Sequence, residues 1–335
     1  MIFSALQSEV VLEVRDLVKT FPITQGSIFR RRVGRIQAVA GVTLDVVRGE
    51  TLGLVGESGC GKTTLGRLMV ALERPDSGTV HFMADNLFKL SRLALRDRRR
   101  HLQLMFQDPY ASLDPRMRVL DIVTEPLVVQ RVGTRSTREQ RAALLLEEVG
   151  LSKGSADRYP HEFSGGQRQR IGLARALALN PTIVVADEPV SALDVSVRAQ
   201  VLNLMSRLQL AHGLTYVVIS HDLSVVRYLA DRIAVMYLGK IVELGPSRTI
   251  FERAGHPYTV GLLEAVPIPN PAMERAKVGR TVLGEVPSAA NPPSGCRFRT
   301  RCPLVQAVCA EVEPPLRMLR TGQVAACHFP LQQAN

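Results

Sequence analysis

The chain has 335 residues, of which 46% are hydrophobic and 22% charged, a balance that excludes a disordered polymer and allows one large domain with an appendage, or two domains. Its net charge of +11 suits a solvated basic surface, nucleic acid or an anionic leaflet; the arginine clusters at 30–32 and 96–100 hold no aromatics and do not look like a base-stacking platform, and charge alone does not choose. No run reaches the roughly 18 apolar residues of a membrane span, and residues 1–10 lack the basic flank and apolar segment of a signal peptide, so the chain is expected in the cytosol unless a partner holds it at a membrane.

Residues 10–17 alternate apolar and polar side chains, the period of a strand. Residues 26–35 are rich in Gly and Arg and are expected to form a loop, followed by short strands at 42–47 and 51–55. Helical spacing then runs through 64–72, 120–150 and 167–179. The compact apolar runs at 183–186 and 216–219 are typical of buried parallel strands. Strands alternating with helices predict an α/β core. Beyond Pro257 the texture changes: Pro267, Pro269, Pro271, Pro287, Pro292 and Pro293 rule out a long helix or a central strand. A boundary near residue 255 is expected, with a small irregular appendage after it. The chain has no internal repeat and no low-complexity tract.

The strongest motif is Gly56-Glu57-Ser58-Gly59-Cys60-Gly61-Lys62-Thr63-Thr64, which fits GxxxxGK(S/T) between a predicted strand and a predicted helix. Glycines let the backbone turn so that N–H groups face phosphate oxygens, and the helix dipole adds to the field. Lys62 is placed to neutralise β- and γ-phosphate charge and Thr63 to ligate Mg²⁺. Cys60 reads as a small filler, since a thiolate facing phosphate is repelled.

An apolar strand at 183–186 ends in Asp187-Glu188-Pro189. Two carboxylates there suit a magnesium-dependent nucleotide site, Asp187 holding the metal through water and Glu188 orienting or deprotonating the attacking water. Alone, such a pair is usually only a strand end; behind a phosphate loop it is a candidate for catalysis.

Phosphate loops occur in many nucleotidases, and Phe163-Ser164-Gly165-Gly166-Gln167 narrows the class. It resembles the LSGGQ signature of ATP-binding cassette (ABC) ATPases, with Phe in place of Leu. Locally it is also a Ser N-cap before a helix, whose N-terminus is an anion site. The resemblance covers about residues 10–245 and implies an ABC-type phosphate-loop core with antiparallel-β and helical subdomains, the latter at about 108–165. It implies that the signature acts on ATP held by a second cassette. Gln107 resembles the Q-loop glutamine that contacts Mg²⁺. Ser191-Ala192-Leu193-Asp194 resembles the D-loop crossing the dimer seam, His221 the switch histidine that touches γ-phosphate, and Phe21 the aromatic that stacks on adenine.

Residues 106–116 (FQDPYASLDPR), residues 187–200 (DEPVSALDVSVRAQ) and His256-Pro257-Tyr258-Thr259 resemble the peptide and nickel importer ATPases, most of all the F-type subunit of dipeptide transporters. That resemblance implies a domain over 1–255 and a C-terminal extension over 256–335. It also implies a related D-type ATPase subunit, two transmembrane permease subunits and an extracytoplasmic peptide-binding protein as partners, at the cytoplasmic face of a bacterial membrane. Cargo stays open between dipeptides, longer oligopeptides and nickel. A soluble ABC ATPase acting on DNA or ribosomes is the alternative class, but such chains generally carry two cassettes or long coiled-coil insertions; the span from Gln107 to Ser164 is too short for one and has no sustained heptads, so no nucleic acid partner is expected.

Cys296, Cys302, Cys309 and Cys327 crowd the C-terminus. Four thiolates suit tetrahedral Zn²⁺ or a 4Fe–4S cluster, and their spacing alone does not choose. The family resemblance implies the iron–sulfur cluster, as a staple for a segment with little core. Nothing in the sequence links these cysteines to ATP chemistry.

Overall fold

The computed structural model describes residues 9–25, 31–108, 112–265, 284–320 and 322–331. Strand β1 (Val10–Gln25) pairs antiparallel with β2 (Arg31–Val47), so residues 31–35, expected in a loop, belong to a strand. The reason is backbone pairing: Ile23 lies opposite Gly34 and Pro22 opposite Arg35, and the ladder satisfies those main-chain groups whatever the charge of the side chains. Gly26 and Arg30, in the same expected loop, lie outside the described residues.

Strand β3 (Thr51–Val55) is buried throughout and runs through the glycine-rich loop into helix α1 (Lys62–Met69). Strands β4 (Ser77–Phe82) and β5 (Asp85–Asn86) complete an antiparallel sheet of order β2-β1-β4-β5. Helix α2 (Arg92–Arg98) leads to β6 (Leu102–Met105). The helical pattern at 120–150 resolves into two helices, α3 (Val119–Val129) and α4 (Arg135–Glu148). Arg131 takes a left-handed φ of 57° between them, and the Thr134 side chain caps α4 in a capping box with Thr137, which is what ends one helix and starts the next.

Helix α5 (Gly165–Leu177), strand β7 (Ile183–Asp187), helix α6 (Val195–His212), strand β8 (Thr215–Ser220), helix α7 (Leu223–Leu229) and strand β9 (Arg232–Tyr237) follow in α/β alternation. Strands β6, β7, β8, β3 and β9 are parallel neighbours. Covered on both faces, they need apolar residues at every position, which explains the unbroken runs at 183–186 and 216–219. Alternation then divides the side chains between two cores. Val184, Ala186, Tyr216 and Val218 face the helical layer of α3–α6, whereas Ile183, Val185, Val217 and Ile219 face α1 and the antiparallel sheet.

The C-terminal part is joined to this sheet. Strand β10 (Lys240–Pro246) returns antiparallel to β9, and helices α8 (Ser247–Arg253) and α9 (Pro257–Glu264) follow. Helix α10 (Val308–Glu311) and short strands β11 (Arg317–Met318) and β12 (Val324–Ala325) form the rest. Strand β12 pairs with β10, Ala325 opposite Glu243, so the eight-stranded sheet runs β11-β12-β10-β9-β3-β8-β7-β6. The Glu243 side chain is fully buried and accepts the N–H groups of Gly255 (2.6 Å) and His256 (3.1 Å), tying the start of α9 to the sheet. Pro267, Pro269 and Pro271 lie outside the described residues.

A third core forms where this part meets β9: Phe298, Tyr258 and Tyr237 are buried to within 1% exposure. Phe298 stands edge-on to Tyr237 (5.4 Å between centroids, 89°) and tilted against Tyr258 (5.4 Å). Replacing Phe298 with Ala is expected to lower the unfolding free energy by about 3–5 kcal/mol in denaturant titrations; an unchanged midpoint would show that the ring anchors nothing.

Candidate functional site

The glycine-rich loop connects β3 to α1 and is wedged between two main-chain segments. A Cβ on Gly56 would stand 2.1 Å from the carbonyl oxygen of Met236, and one on Gly61 would stand 1.9 Å from that of Ala38. Both residues also have φ in the region that favours glycine, 154° and 107°. Ser58 and Gly59 are exposed at the tip, Gly61, Thr63 and Thr64 are half-buried, and Cys60 is packed in the core at 4% exposure, where burial pushes its thiol up. The Lys62 ammonium, 6% exposed, donates to the carbonyl oxygens of Gly56 (2.7 Å) and Glu57 (2.9 Å), folded over its own loop. A lysine at the start of a helix, beside a turn of main chain, can clamp a bound anion.

Asp187 and Glu188 end β7 beside this loop. The Thr63 hydroxyl donates to Asp187 Oδ1 at 3.1 Å, so the two candidate magnesium ligands are already adjacent. Burial raises the Asp187 carboxyl above its ordinary 3.8, with the Thr63 hydrogen bond acting in the opposite sense. Glu188 has a left-handed φ of 48° and is anchored by its N–H to the carbonyl oxygen of Ile219 (2.9 Å). Its two carboxylate oxygens are held separately: the Gln107 amide donates to Oε2 at 2.9 Å, and His221 Nδ1 lies 2.8 Å from Oε1. Residues from β6, β7 and β8 thus meet in one cluster, with His221 half open to solvent at 56% exposure. Such a cluster can position a water molecule next to a phosphate.

The signature residues stand on a different core. Ser164 Oγ accepts the Gln167 N–H (3.4 Å), and the Gln167 side chain accepts the Ser164 N–H (3.0 Å), a reciprocal cap on α5. Gly165 faces Leu193 and Gly166 packs against Val197, so the glycines let α5 meet the start of α6. Ser191 and Ala192 are exposed; the Ser191 hydroxyl donates to the Glu188 carbonyl oxygen at 3.2 Å, and Asp194 caps α6 through the Val197 N–H at 2.9 Å. Phe21 is on β1 at 36% exposure with the Lys19 ammonium 5.2 Å above its ring. Pro109, Tyr110 and Ala111 of the segment after Gln107 lie outside the described residues.

Three residues at this site are missing from the sequence-based set. Glu57 in the loop forms a two-pronged salt bridge with Arg301 (2.7 and 2.9 Å), and its N–H donates to the Tyr258 hydroxyl at 2.9 Å. Arg301 immediately precedes Cys302, so the C-terminal part touches the glycine-rich loop directly. No sequence signal announces a contact spanning 244 positions, although Glu57 sits in the phosphate motif and Arg301 in a basic run between two cysteines.

The four C-terminal cysteines are free thiols, and the Cys296 N–H donates to the Cys309 carbonyl oxygen at 2.8 Å. Burial raises the thiols of Cys296 and Cys302, and pushes that of Cys327 up to about 12, with the neighbouring thiols adding to each shift. Among the described residues, however, no group of three or more His, Cys, Asp or Glu side chains stands together closely enough to hold a metal ion.

Comparison with known proteins places these features in context. Residues 39–191 match the family described as ABC transporter, and residues 242–309 match the family described as oligopeptide/dipeptide transporter, C-terminal region. The chain is 49% identical to the oligopeptide transport ATP-binding protein AppF of Bacillus subtilis, over 97% of this chain and 99% of that protein. Among solved structures it is similar to the ATP-binding cassette MJ0796, a dimer in a post-hydrolysis state bound to ADP and Pi, with TM-score 0.62, 30% identity and coverage of 71% of this chain and 99% of that one. The fold is also that of cbiO1 from Clostridium perfringens, with TM-score 0.62, 24% identity and coverage of 73% and 91% of the two chains.

The buried Asp187 makes a testable cost. Because its folded-state pKa is raised, the folded protein keeps this proton at pH values where the unfolded chain has lost it, and stability falls as pH rises above the ordinary 3.8. Asp187→Asn is therefore expected to melt at a higher temperature than the parent when both lack nucleotide and magnesium, with the gap widening as pH rises above the ordinary 3.8. Equal or lower melting temperatures across that range would refute the burial argument.

Proposed function

The chain belongs to the ABC transporter family of ATP-binding proteins, and from that premise we propose that it is the ATP-hydrolysing subunit of a bacterial importer of dipeptides or oligopeptides. The observation that carries the hydrolytic part is the convergence of Gln107, Glu188 and His221 beside the Thr63–Asp187 pair. In this reading Gly56, Ser58, Gly59, Cys60, Gly61 and Thr64 line the phosphate cradle and Lys62 swings from the Gly56 and Glu57 carbonyls onto the β- and γ-phosphates. Thr63, Gln107 and Asp187 would hold Mg²⁺, which neutralises charge on the phosphate oxygens when bound. Glu188 orients the attacking water and takes its proton as the water oxygen bonds to the γ-phosphorus and the bond to the ADP oxygen breaks. His221 keeps Nδ1 on Glu188, leaving Nε2 for the γ-phosphate. Phe21 supplies an exposed ring for adenine.

The capped N-terminus of α5 would act on ATP held by a second cassette, with Ser164, Gly165, Gly166 and Gln167 meeting its γ-phosphate and Ser191, Ala192, Leu193 and Asp194 crossing the seam. The dimeric state of the MJ0796 cassette supports this assembly, in which a D-type paralogue is the second cassette. Among the described residues no helix is long and apolar enough to cross a membrane, so two permease subunits would hold the chain at the cytoplasmic face and an extracytoplasmic protein would deliver the peptide. A groove of 360 Å³ lined by Phe106, Leu113, Pro126, Val129, Arg175 and Leu179 suits a permease helix. Arg175 firms its wall by donating to the Ser112 carbonyl oxygen (2.8 Å) and to Glu125 (2.6 Å). The peptide cargo is supported by the match of residues 242–309 and by the name of the Bacillus relative. The division into a nucleotide-binding domain over 1–255, with its helical part at about 108–165, and an extension over 256–335 belongs to the same proposal. Glu188→Gln is expected to cut ATP turnover by at least about 10²-fold while ATP-bound dimers accumulate on size exclusion; hydrolysis at the parent rate would remove Glu188 from its role.

For the cysteines we infer a structural 4Fe–4S cluster, with Zn²⁺ as the alternative, held by Cys296, Cys302, Cys309 and Cys327. What supports this is the donor chemistry alone, four cysteines within a region of small core; as placed among the described residues they do not stand together closely enough to hold a metal ion. No hydrolytic step passes through it. Protein purified without oxygen is expected to be brown, and Cys302→Ser to lose iron and sulfide; zinc without iron in the parent preparation would reverse the choice of metal.

A further inference from the structure

The most unexpected contacts of the phosphate loop are made by the C-terminal part of the chain. Glu57, the second residue of the loop, is held at three points. Its N–H donates to the hydroxyl of Tyr258 on α9 (2.9 Å), its carbonyl oxygen accepts from Lys62 (2.9 Å), and its carboxylate takes both prongs of the Arg301 guanidinium. Arg301 is itself fixed. Its side chain is 6% exposed against 25% for Glu57, its guanidinium lies 5.8 Å from the Tyr237 ring centre, and its N–H donates to the Phe298 carbonyl oxygen at 3.0 Å. A second brace reaches the loop from behind. Arg297 donates to the carbonyl oxygen of Leu238 and to Gln37 (2.6 Å), and Gly239, next to Leu238, donates its N–H to the Cys60 carbonyl oxygen at 2.8 Å.

A carboxylate next to a phosphate cradle opposes the binding of a triphosphate unless its charge is met. Arg301 meets that charge with a planar fork that both pairs and orients it. We propose that Arg301 and Tyr258 are positioning residues of the ATP site, through which the C-terminal region sets the affinity of the phosphate loop for nucleotide. This rests on the reading of the loop as an ATP site. The paired charge makes a specific demand: removing Arg301 alone leaves Glu57 ionised and uncompensated beside the phosphates, whereas removing both charges does not.

The test is equilibrium binding of ATP with Mg²⁺ to the intact chain and its variants, with steady-state hydrolysis by the same preparations. Arg301→Gln is expected to weaken ATP binding and raise KM about tenfold, with kcat changed less than about twofold. Glu57→Gln in that background is expected to restore affinity to within about threefold of the parent, a rescue that loss of mere packing would not allow. Tyr258→Phe, which keeps the buried ring and removes only the acceptor, is expected to weaken binding by about threefold or more with an unchanged circular dichroism spectrum. Parent-like affinity in Arg301→Gln, or a double variant as weak as the single one, overturns the proposal. Should Arg301→Gln fail to fold, Tyr258→Phe decides, and parent-like affinity there overturns it equally. A parent chain that binds no ATP refutes the ATP-site reading itself, whereas parent binding with unaffected variants refutes only the role of the C-terminal region.

Discussion

A phosphate loop is a length of main chain whose function depends on where its own N–H groups point, so the segments pressed against it matter as much as its sequence. Here the carbonyl oxygens of Met236 and Ala38 stand where side chains of Gly56 and Gly61 would be. One comes from the parallel sheet and the other from the antiparallel sheet, and the loop is caught between them. Any side chain at either glycine would have to displace backbone that two sheets hold in register. The position of the loop is thus a property of how the two sheets pack, and the rest of the site is arranged around that fixed element.

The carboxylates at the end of β7 use the same sheet as a ruler. Because β6, β7 and β8 are parallel and in register, their C-terminal ends present Gln107, Glu188 and His221 at one edge. These side chains hydrogen-bond to each other, and Lys62 donates to the carbonyl groups of its own loop. The polar groups of the cluster are therefore paired within the chain. The residues that cap α5 are turned to each other, and its glycines to α6. In the proposed assembly one chain provides half of a composite site.

The C-terminal part is joined to the sheet by hydrogen bonding and to the loop by charge. Strand β12 adds to β10, buried Glu243 collects the N–H groups that begin α9, and Phe298 fills the space between Tyr237 and Tyr258. Those contacts fix Arg301 firmly enough for its guanidinium to reach Glu57. A region with little core of its own thus borrows rigidity from the sheet it extends.

Much of the candidate site's local geometry was legible in residue order alone, because local chemistry writes it. Glycines with Lys62 and Thr63 before a helix, two carboxylates after an apolar strand, and a Ser cap before α5 are each specified within about ten residues by backbone geometry and hydrogen-bonding need. The buried strands at 183–186 and 216–219 were legible for the same reason, since covering both faces of a sheet demands apolar residues at every position. The sequence did not reveal that residues 31–35 complete a strand, because the ladder that recruits them depends on a partner strand and not on their own propensity. Nor did it reveal Arg301 on Glu57 or Tyr258 on the Glu57 N–H. An arginine between two cysteines and a tyrosine after His-Pro carry no local mark of their partners, and only the packing of β9, α9 and the C-terminal turn brings them to the loop. Chemistry that lies within one turn of the chain is determined by sequence alone, and chemistry that spans 244 positions is decided by the tertiary structure.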